Sequence, residues 1–228
     1  MAWAGGKPRD ASKIVIGVRQ GAGRSPCARS ARMYGRPYDG RLASPVSGNG
    51  TMNKCATPRY TADRDYDEIM RLLASGSVAD LEELAELVDG FPDAFDGFTG
   101  RHWITNAIDC GSLLALNWMI GRGVTLRFRD DEGYTPLHSA IDGARDDRLA
   151  VIELLLQGGA DPDVRGINGY TAAHLAAVRN DVPTLQLLAR HGADFELRTV
   201  IDGDTTPLEE AHYFGRLDAV AFLSVRKR

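Results

Sequence analysis

Five histidines, three cysteines, two acidic clusters and one glycine-rich stretch are the residues of this 228-residue chain with the means to do chemistry. The stretch Gly17-Val18-Arg19-Gln20-Gly21-Ala22-Gly23-Arg24-Ser25 follows a short β-like run and has the composition of a phosphate-cradling loop. Such a loop needs four residues between its first glycine and a Gly-Lys-Ser/Thr, so that backbone amides converge on phosphate and the lysine reaches it. Here five residues separate Gly17 from Gly23, Arg24 stands for the lysine, and no βαβ succession follows. Cys27, Cys55 and Cys110 are widely spaced and form no C-x-x-C pair, which excludes a disulfide framework and a zinc site and suits a reducing compartment. His102, His138, His174, His191 and His212 have no triad or metal-ligand spacing. Asp130-Asp131-Glu132 and Asp161-x-Asp163 lack the glycine and terminal glutamate of a calcium loop and read as solvated turn charges. No catalytic residue, metal or cofactor is expected.

The charges divide the chain. Residues 1–60 hold eleven Lys/Arg and two Asp/Glu, a net +9, and the remainder holds a net −13. The first segment is rich in Arg, Gly, Ser and Pro, with little apolar content beyond Ile14–Val18. It buries too little surface to offset the entropy of ordering, so residues 1–63 are expected to be a disordered basic tail. The composition changes near Met52, which raises the alternative that translation begins there. No apolar run approaches a membrane span or a signal peptide, and a cytoplasmic, monomeric protein is expected.

The elements that must position everything else repeat. Thr135-Pro136-Leu137-His138-Ser139-Ala140 recurs as Thr171-Ala172-Ala173-His174-Leu175-Ala176 and as Thr206-Pro207-Leu208-Glu209-Glu210-Ala211, with a degenerate copy at His102–Ala107. Leu154–Asp161 parallels Leu187–Asp194, and Trp118–Val124 is a weaker equivalent. The interval from first position to helix-ending glycine is 21 residues in His102→Gly123 and Thr171→Gly192, but 24 in Thr135→Gly159. The excess falls in Asp142–Arg148, between helices, and a second insertion falls in Thr199–Asp204, between units. Insertions confined to loops are what a repeat array predicts.

Each recurring residue has a physical task. Thr135 and Thr206 cap helix N-termini, and Pro136 and Pro207 fit the first helical position, where no amide donor is needed. Leu137 and Ala140 share one apolar stripe. Gly159 and Gly192 end second helices in the left-handed conformation, and Gly133 and Gly169 permit the turn before the next pair. Leu72–Val88 reads as a starting helix pair with a polar outer face. Cations at Arg226–Arg228 suit the dipole of a last helix.

On these residues the chain resembles the ankyrin repeat family. The resemblance implies an all-α solenoid of stacked helix-turn-helix units over residues 64–228. It divides into a cap at 64–92 and units at about 97–129, 130–165, 166–200 and 201–228. Ala172-Ala173 in place of Pro-Leu leaves the third unit's first helix less preorganised. Glu209 in place of histidine deprives the fourth unit of the imidazole that braces adjacent turns in this family, and His138 and His174 take that structural position.

The resemblance also implies a protein-protein interaction module, not an enzyme, that acts as scaffold, adaptor or sequestering inhibitor through its concave face. Carried over by register, the partner-binding candidates from the turns are Arg101, Arg129, Asp131, Glu132, Tyr134, Arg165, Ile167, Asn168, Tyr170 and Asp202. From the first helices come Asp142, Val178, Arg179, Tyr213 and Phe214. Tyr134 and Tyr170 precede each signature threonine, and with Tyr213 and Phe214 they read as an exposed aromatic row interleaved with arginines, the composition of a binding hot spot. The net −13 of the repeats disfavours nucleic acid and favours a basic or mixed protein surface. No small-molecule substrate is expected. Two alternatives stay open: an enzyme or enzyme subunit with an unrecognised active site, and a nucleic-acid-associated protein acting through its basic tail.

Overall fold

The computed structural model describes residues 62–200 and 203–226, with side chains from Tyr66 onward. The expectations for the basic tail, for the loop at Gly17–Ser25, for Met52 and for Asp202 lie outside the described residues.

Among the described residues ten α-helices follow one another in pairs. They are α1 (Ala62–Ser75), α2 (Val78–Leu87), α3 (Trp103–Cys110), α4 (Leu113–Gly121) and α5 (Pro136–Asp142), then α6 (Arg148–Gln157), α7 (Ala172–Val178), α8 (Val182–Arg190), α9 (Pro207–Tyr213) and α10 (Leu217–Arg226). The described residues form no strand, only one isolated bridge between Phe95 and His102. Each first helix packs on the first helix of the neighbouring unit, and each second helix on the neighbouring second helix. The result is two helical layers around one continuous apolar core that runs from Tyr66 to Leu223. Leu73, Leu81, Leu84, Ile108, Leu116, Met119, Ile141, Ile152, Leu155 and Leu185 are fully enclosed in it. No single pair has enough apolar surface to enclose itself, so stacking is what makes each unit stable.

Helix starts are set locally. Thr135 Oγ1 accepts from the backbone amide of His138 at 3.3 Å, and Thr206 Oγ1 from that of Glu209 at 3.3 Å. Ser77, Ser112 and Asp181 do the same for α2, α4 and α8. Each such cap contributes about 1 kcal/mol. His102 caps α3 with no side-chain bond, in keeping with its degenerate copy of the motif. Glu209 is not merely a lost imidazole. Its Oε2 accepts from the backbone amide of Thr206 at 2.9 Å and completes a reciprocal capping box. Ala172 and Ala173 are small because every residue of α7 is buried. Gly159 and Gly192 end their helices at φ of 89° and 80°, where a side chain would be strained.

Both predicted insertions lie in loops. The α5–α6 loop is held by Arg145, whose Nη1 donates to the carbonyls of Ala107, Ile108 and Gly111 at 3.3, 3.1 and 2.6 Å. Those carbonyls lie at the C-terminal end of α3, where Ala107 already accepts from the amide of Gly111 at 2.7 Å, so the inserted arginine satisfies the carbonyls of Ile108 and Gly111, which the helix end leaves open. Asp147 holds the guanidinium through two bonds of 2.7 Å. The second insertion closes on itself, with Thr199 and Thr205 exchanging bonds of 2.9 and 3.1 Å.

Candidate partner-binding surface

The signature histidines are consumed by the stack. His138 Nε2 lies 3.0 Å from the carbonyl of Tyr170, and His174 Nε2 lies 2.9 Å from that of Thr205. A carbonyl only accepts, so Nε2 carries the proton in each ring. Nδ1 is then the acceptor, for the Thr135 hydroxyl at 2.6 Å and the Thr171 hydroxyl at 2.9 Å. Each neutral imidazole thus ties its own helix start to the next unit's turn. Burial pushes His138 down to about 4 and His174 below the usual histidine range. Burial also lowers His102, whose ring stacks between Phe95 and Phe128 with centroids 4.1 and 3.7 Å away.

What remains available is the set of turn tips and first-helix ends. Arg129, Asp131, Glu132, Arg165 and Asn168 are exposed, and Ile167 is 38% exposed. Asn168 takes a left-handed φ of 56°, which forms the tip of the third unit's turn. Arg165 reaches across to the next unit, with Nε and Nη2 each 3.3 Å from the carbonyl of Arg198. Arg101 is half-buried and pairs with Asp109 at 2.9 Å. Asp142 and Arg179 come together across two units in an ion pair of 2.7 Å. At the far end Tyr213 is 52% exposed and meets the half-buried Phe214 edge-on at 5.0 Å.

The expected aromatic row requires correction. Tyr170 is buried at 9% exposure, and its hydroxyl donates to Glu210 Oε2 at 2.9 Å. Tyr134 is only half-buried and leans edge-on against His138 at 6.2 Å. Val178 is also buried, at 5% exposure, because the α7 surface that bears it is enclosed by its neighbours. None of the three is the open aromatic or apolar contact that register implied.

Several polar groups escaped sequence reasoning. Glu210 is 4% exposed, accepts from Tyr170 and is also held by the Thr205 hydroxyl. Its signal was a carboxylate at a helix position where Leu175 stands one unit earlier. Asp96 is 1% exposed and accepts from the amides of Phe98 and Gly100, both at 3.1 Å, and from Asn106 Nδ2 at 2.6 Å. It shapes the turn before α3, where no signature residue marks the chain. Exposed Phe95 and Phe98 lie on that turn. Among the described residues no group of three or more His, Cys, Asp and Glu side chains is placed to hold a metal ion. No described helix is long and apolar enough to cross a membrane.

Paired helices, imidazoles spent on inter-unit bonds and left-handed glycines at helix ends define a helical-repeat solenoid whose turn tips face solvent. A family model for ankyrin repeats, three copies, matches residues 142–227. Residues 142–227 of the stack are ankyrin repeats. An ankyrin repeat-containing protein of Treponema pallidum is 36% identical over 106 residues, covering 46% of this chain and 35% of that protein. Protein PhlB of Serratia liquefaciens is 35% identical over 119 residues, covering 47% of this chain and 51% of PhlB. The human 2-5A-dependent ribonuclease is 35% identical over 83 residues, covering 36% of this chain and 11% of the ribonuclease. The chain therefore spans about half or less of these relatives. Ankyrin repeats generally mediate protein–protein interaction.

Proposed function

We propose that residues 64–228 form a protein-interaction domain that docks a partner protein along its concave face, with residues 1–63 as a basic appendage. The observation that carries this reading is the division of labour between side chains. The signature Thr, His, Leu and Ala residues are enclosed within the stack, while Arg129, Asp131, Glu132, Arg165, Ile167 and Asn168 stand outside it on successive turns. Such a surface varies freely without disturbing the fold, as a recognition surface must. Arg101, Asp142, Arg179, Tyr213 and Phe214 extend it along the first helices. Tyr134 forms part of its floor. Mixed charge around Ile167 suits a basic or mixed partner surface, with rim charges acting more on association rate than on affinity.

Affinity capture with the full chain, followed by mass spectrometry, tests the proposal. The variant Arg129→Ala/Arg165→Ala/Ile167→Asp is expected to lose the captured partner while keeping the wild-type helical circular dichroism and Tm. A partner retained both by this variant and by Tyr213→Ala/Phe214→Ala rejects this surface.

A further inference from the structure

The turn before α3 carries an aromatic patch. Phe95 and Phe98 are 61% and 47% exposed, and among the described residues they are the phenylalanines that stand exposed. Each rests part of its ring on the domain. Phe98 stacks on Tyr66 with centroids 4.9 Å apart, and Phe95 leans on the His102 ring, which Phe128 backs. The patch is not an open end of the stack, because α1 and α2 precede the turn and α3 follows it. Carboxylates flank it in the chain: Asp67 beside Tyr66 and Asp93 two residues before Phe95 are both exposed. Residues 62–100 hold eleven Asp/Glu and two Arg, a net −9, whereas residues 101–228 together hold a net −4. The negative charge of the repeats is thus concentrated on the cap and on the turn that bears the two rings. The next turn is near balance, with Arg127 and Arg129 against Asp130, Asp131 and Glu132.

We propose that the basic segment 11–38 of this same chain docks on that patch, laying arginines over the Phe95 and Phe98 rings within the acidic field of the cap. The charges are complementary. Residues 11–38 hold six Lys/Arg (Lys13, Arg19, Arg24, Arg29, Arg32 and Arg36) and no Asp or Glu, and the net +9 of residues 1–60 faces the net −9 of residues 62–100. The chemistry fits as well, because a guanidinium binds both a carboxylate and the open face of an aromatic ring. The connection brings the two together. The segment joins the domain through α1, whose Tyr66 stacks on Phe98, so its own chain enters at the edge of the patch. Tyr38 precedes Tyr66 by 28 positions, a reach of at most about 100 Å. A segment so tethered meets the patch at an effective concentration on the order of millimolar. Contacts of about 0.5–1 kcal/mol per cation–ring pair then suffice to hold it. The contact needs no external partner, so it stands or falls separately from the partner-binding reading.

Paramagnetic relaxation in the full chain tests it. Cys27 lies within the segment, and Cys55→Ser with Cys110→Ser leaves it as the one site for a nitroxide label. Relaxation enhancement at the amides of residues 94–100, well above that at α10, is expected. It weakens in salt of about 0.5 M, where the Debye length is about 4 Å. Arg19→Gln/Arg24→Gln/Arg29→Gln/Arg32→Gln, which leaves every residue of the repeats in place, lowers it by roughly fivefold or more. Phe95→Ser/Phe98→Ser lowers it likewise, with circular dichroism showing the helices retained. Enhancement spread evenly over the repeats overturns the proposal, as does enhancement indifferent to the arginine variant. Enhancement that follows the arginines but not the two rings puts the segment elsewhere on the acidic surface and overturns it too. So does an effect that appears in full between nitroxide-bearing chains and separate isotope-labelled chains, which is the signature of the segment gripping another copy.

Discussion

The hydroxyl of Tyr170 donates to Oε2 of Glu210 across 2.9 Å, joining two residues 40 positions apart and locking the third unit's turn to the first helix of the fourth. The bond lies in the same joint as the bridge from His174 to the Thr205 carbonyl. A hydrogen bond to a buried carboxylate stabilises by about 1.5–3 kcal/mol. Tyr170→Phe is expected to destabilise the protein by that amount in urea denaturation. Glu210→Gln, which keeps an acceptor, is expected to cost less. Partner capture by Tyr170→Phe, measured well below its Tm, stays at the wild-type level, because the side chain offers almost no surface to a ligand.

Stability falls in mild acid. In the unfolded chain a histidine titrates near 6.5, whereas folded His138 titrates at about 4 and folded His174 also below 6.5. Between those values the unfolded state binds more protons, so the stabilisation is complete above pH 6.5 and is lost as pH falls through the folded pKa. For His138 the loss by pH 4 is about 3 kcal/mol. Urea denaturation at pH 7 and at pH 5 measures it. His138→Gln is less stable at pH 7, and its stability changes less between the two.

Arg145 is the clamp of the first insertion, and only its planar fork reaches three carbonyls of the α3 terminus and Asp147 together. Arg145→Ala is expected to cost about 2–3 kcal/mol, since charge-assisted bonds are lost and buried acceptors are left open. Arg145→Lys recovers little, because an ammonium cannot serve both sides of the fork. Hydrogen exchange at the amides of the loop between α5 and α6 is expected to accelerate in both variants.

Two glycines predict opposite outcomes. A Cβ on Gly166 would lie 2.9 Å from the His138 ring and 3.0 Å from the carbonyl oxygen of Gly133. That ring is pinned at both nitrogens and cannot retreat, so Gly166→Ala is expected to destabilise by about 1–3 kcal/mol. A Cβ on Gly121, in the last turn of α4, meets nothing within 4 Å. Gly121→Ala is expected to stabilise by about 0.5–1 kcal/mol through the entropy of the unfolded chain. Paired thermal melts of the two variants decide both.

The helix pairs, their caps, the loop location of both insertions and the structural role of His138 and His174 were legible because each rests on local chemistry. A threonine hydroxyl reaches its own N3 amide, a proline removes a donor where none is needed, and a glycine permits positive φ, all within a few residues. The turn before α3 was illegible for the opposite reason. Its organising groups, Asp96 and Asn106, are ten positions apart and belong to no repeated pattern.

By itself the sequence determined the repeat and its register, which placed Tyr134 and Tyr170 at equivalent positions before Thr135 and Thr171. Only the tertiary structure decided that they differ. The unit after Tyr170 supplies the carboxylate of Glu210, which draws that hydroxyl inward, while the unit after Tyr134 has the apolar Leu175 at the same register. Tyr170 is accordingly buried and Tyr134 half-buried. A side chain's exposure depends on what the neighbouring unit places against it, and that neighbour lies more than thirty residues away, beyond the reach of any local rule.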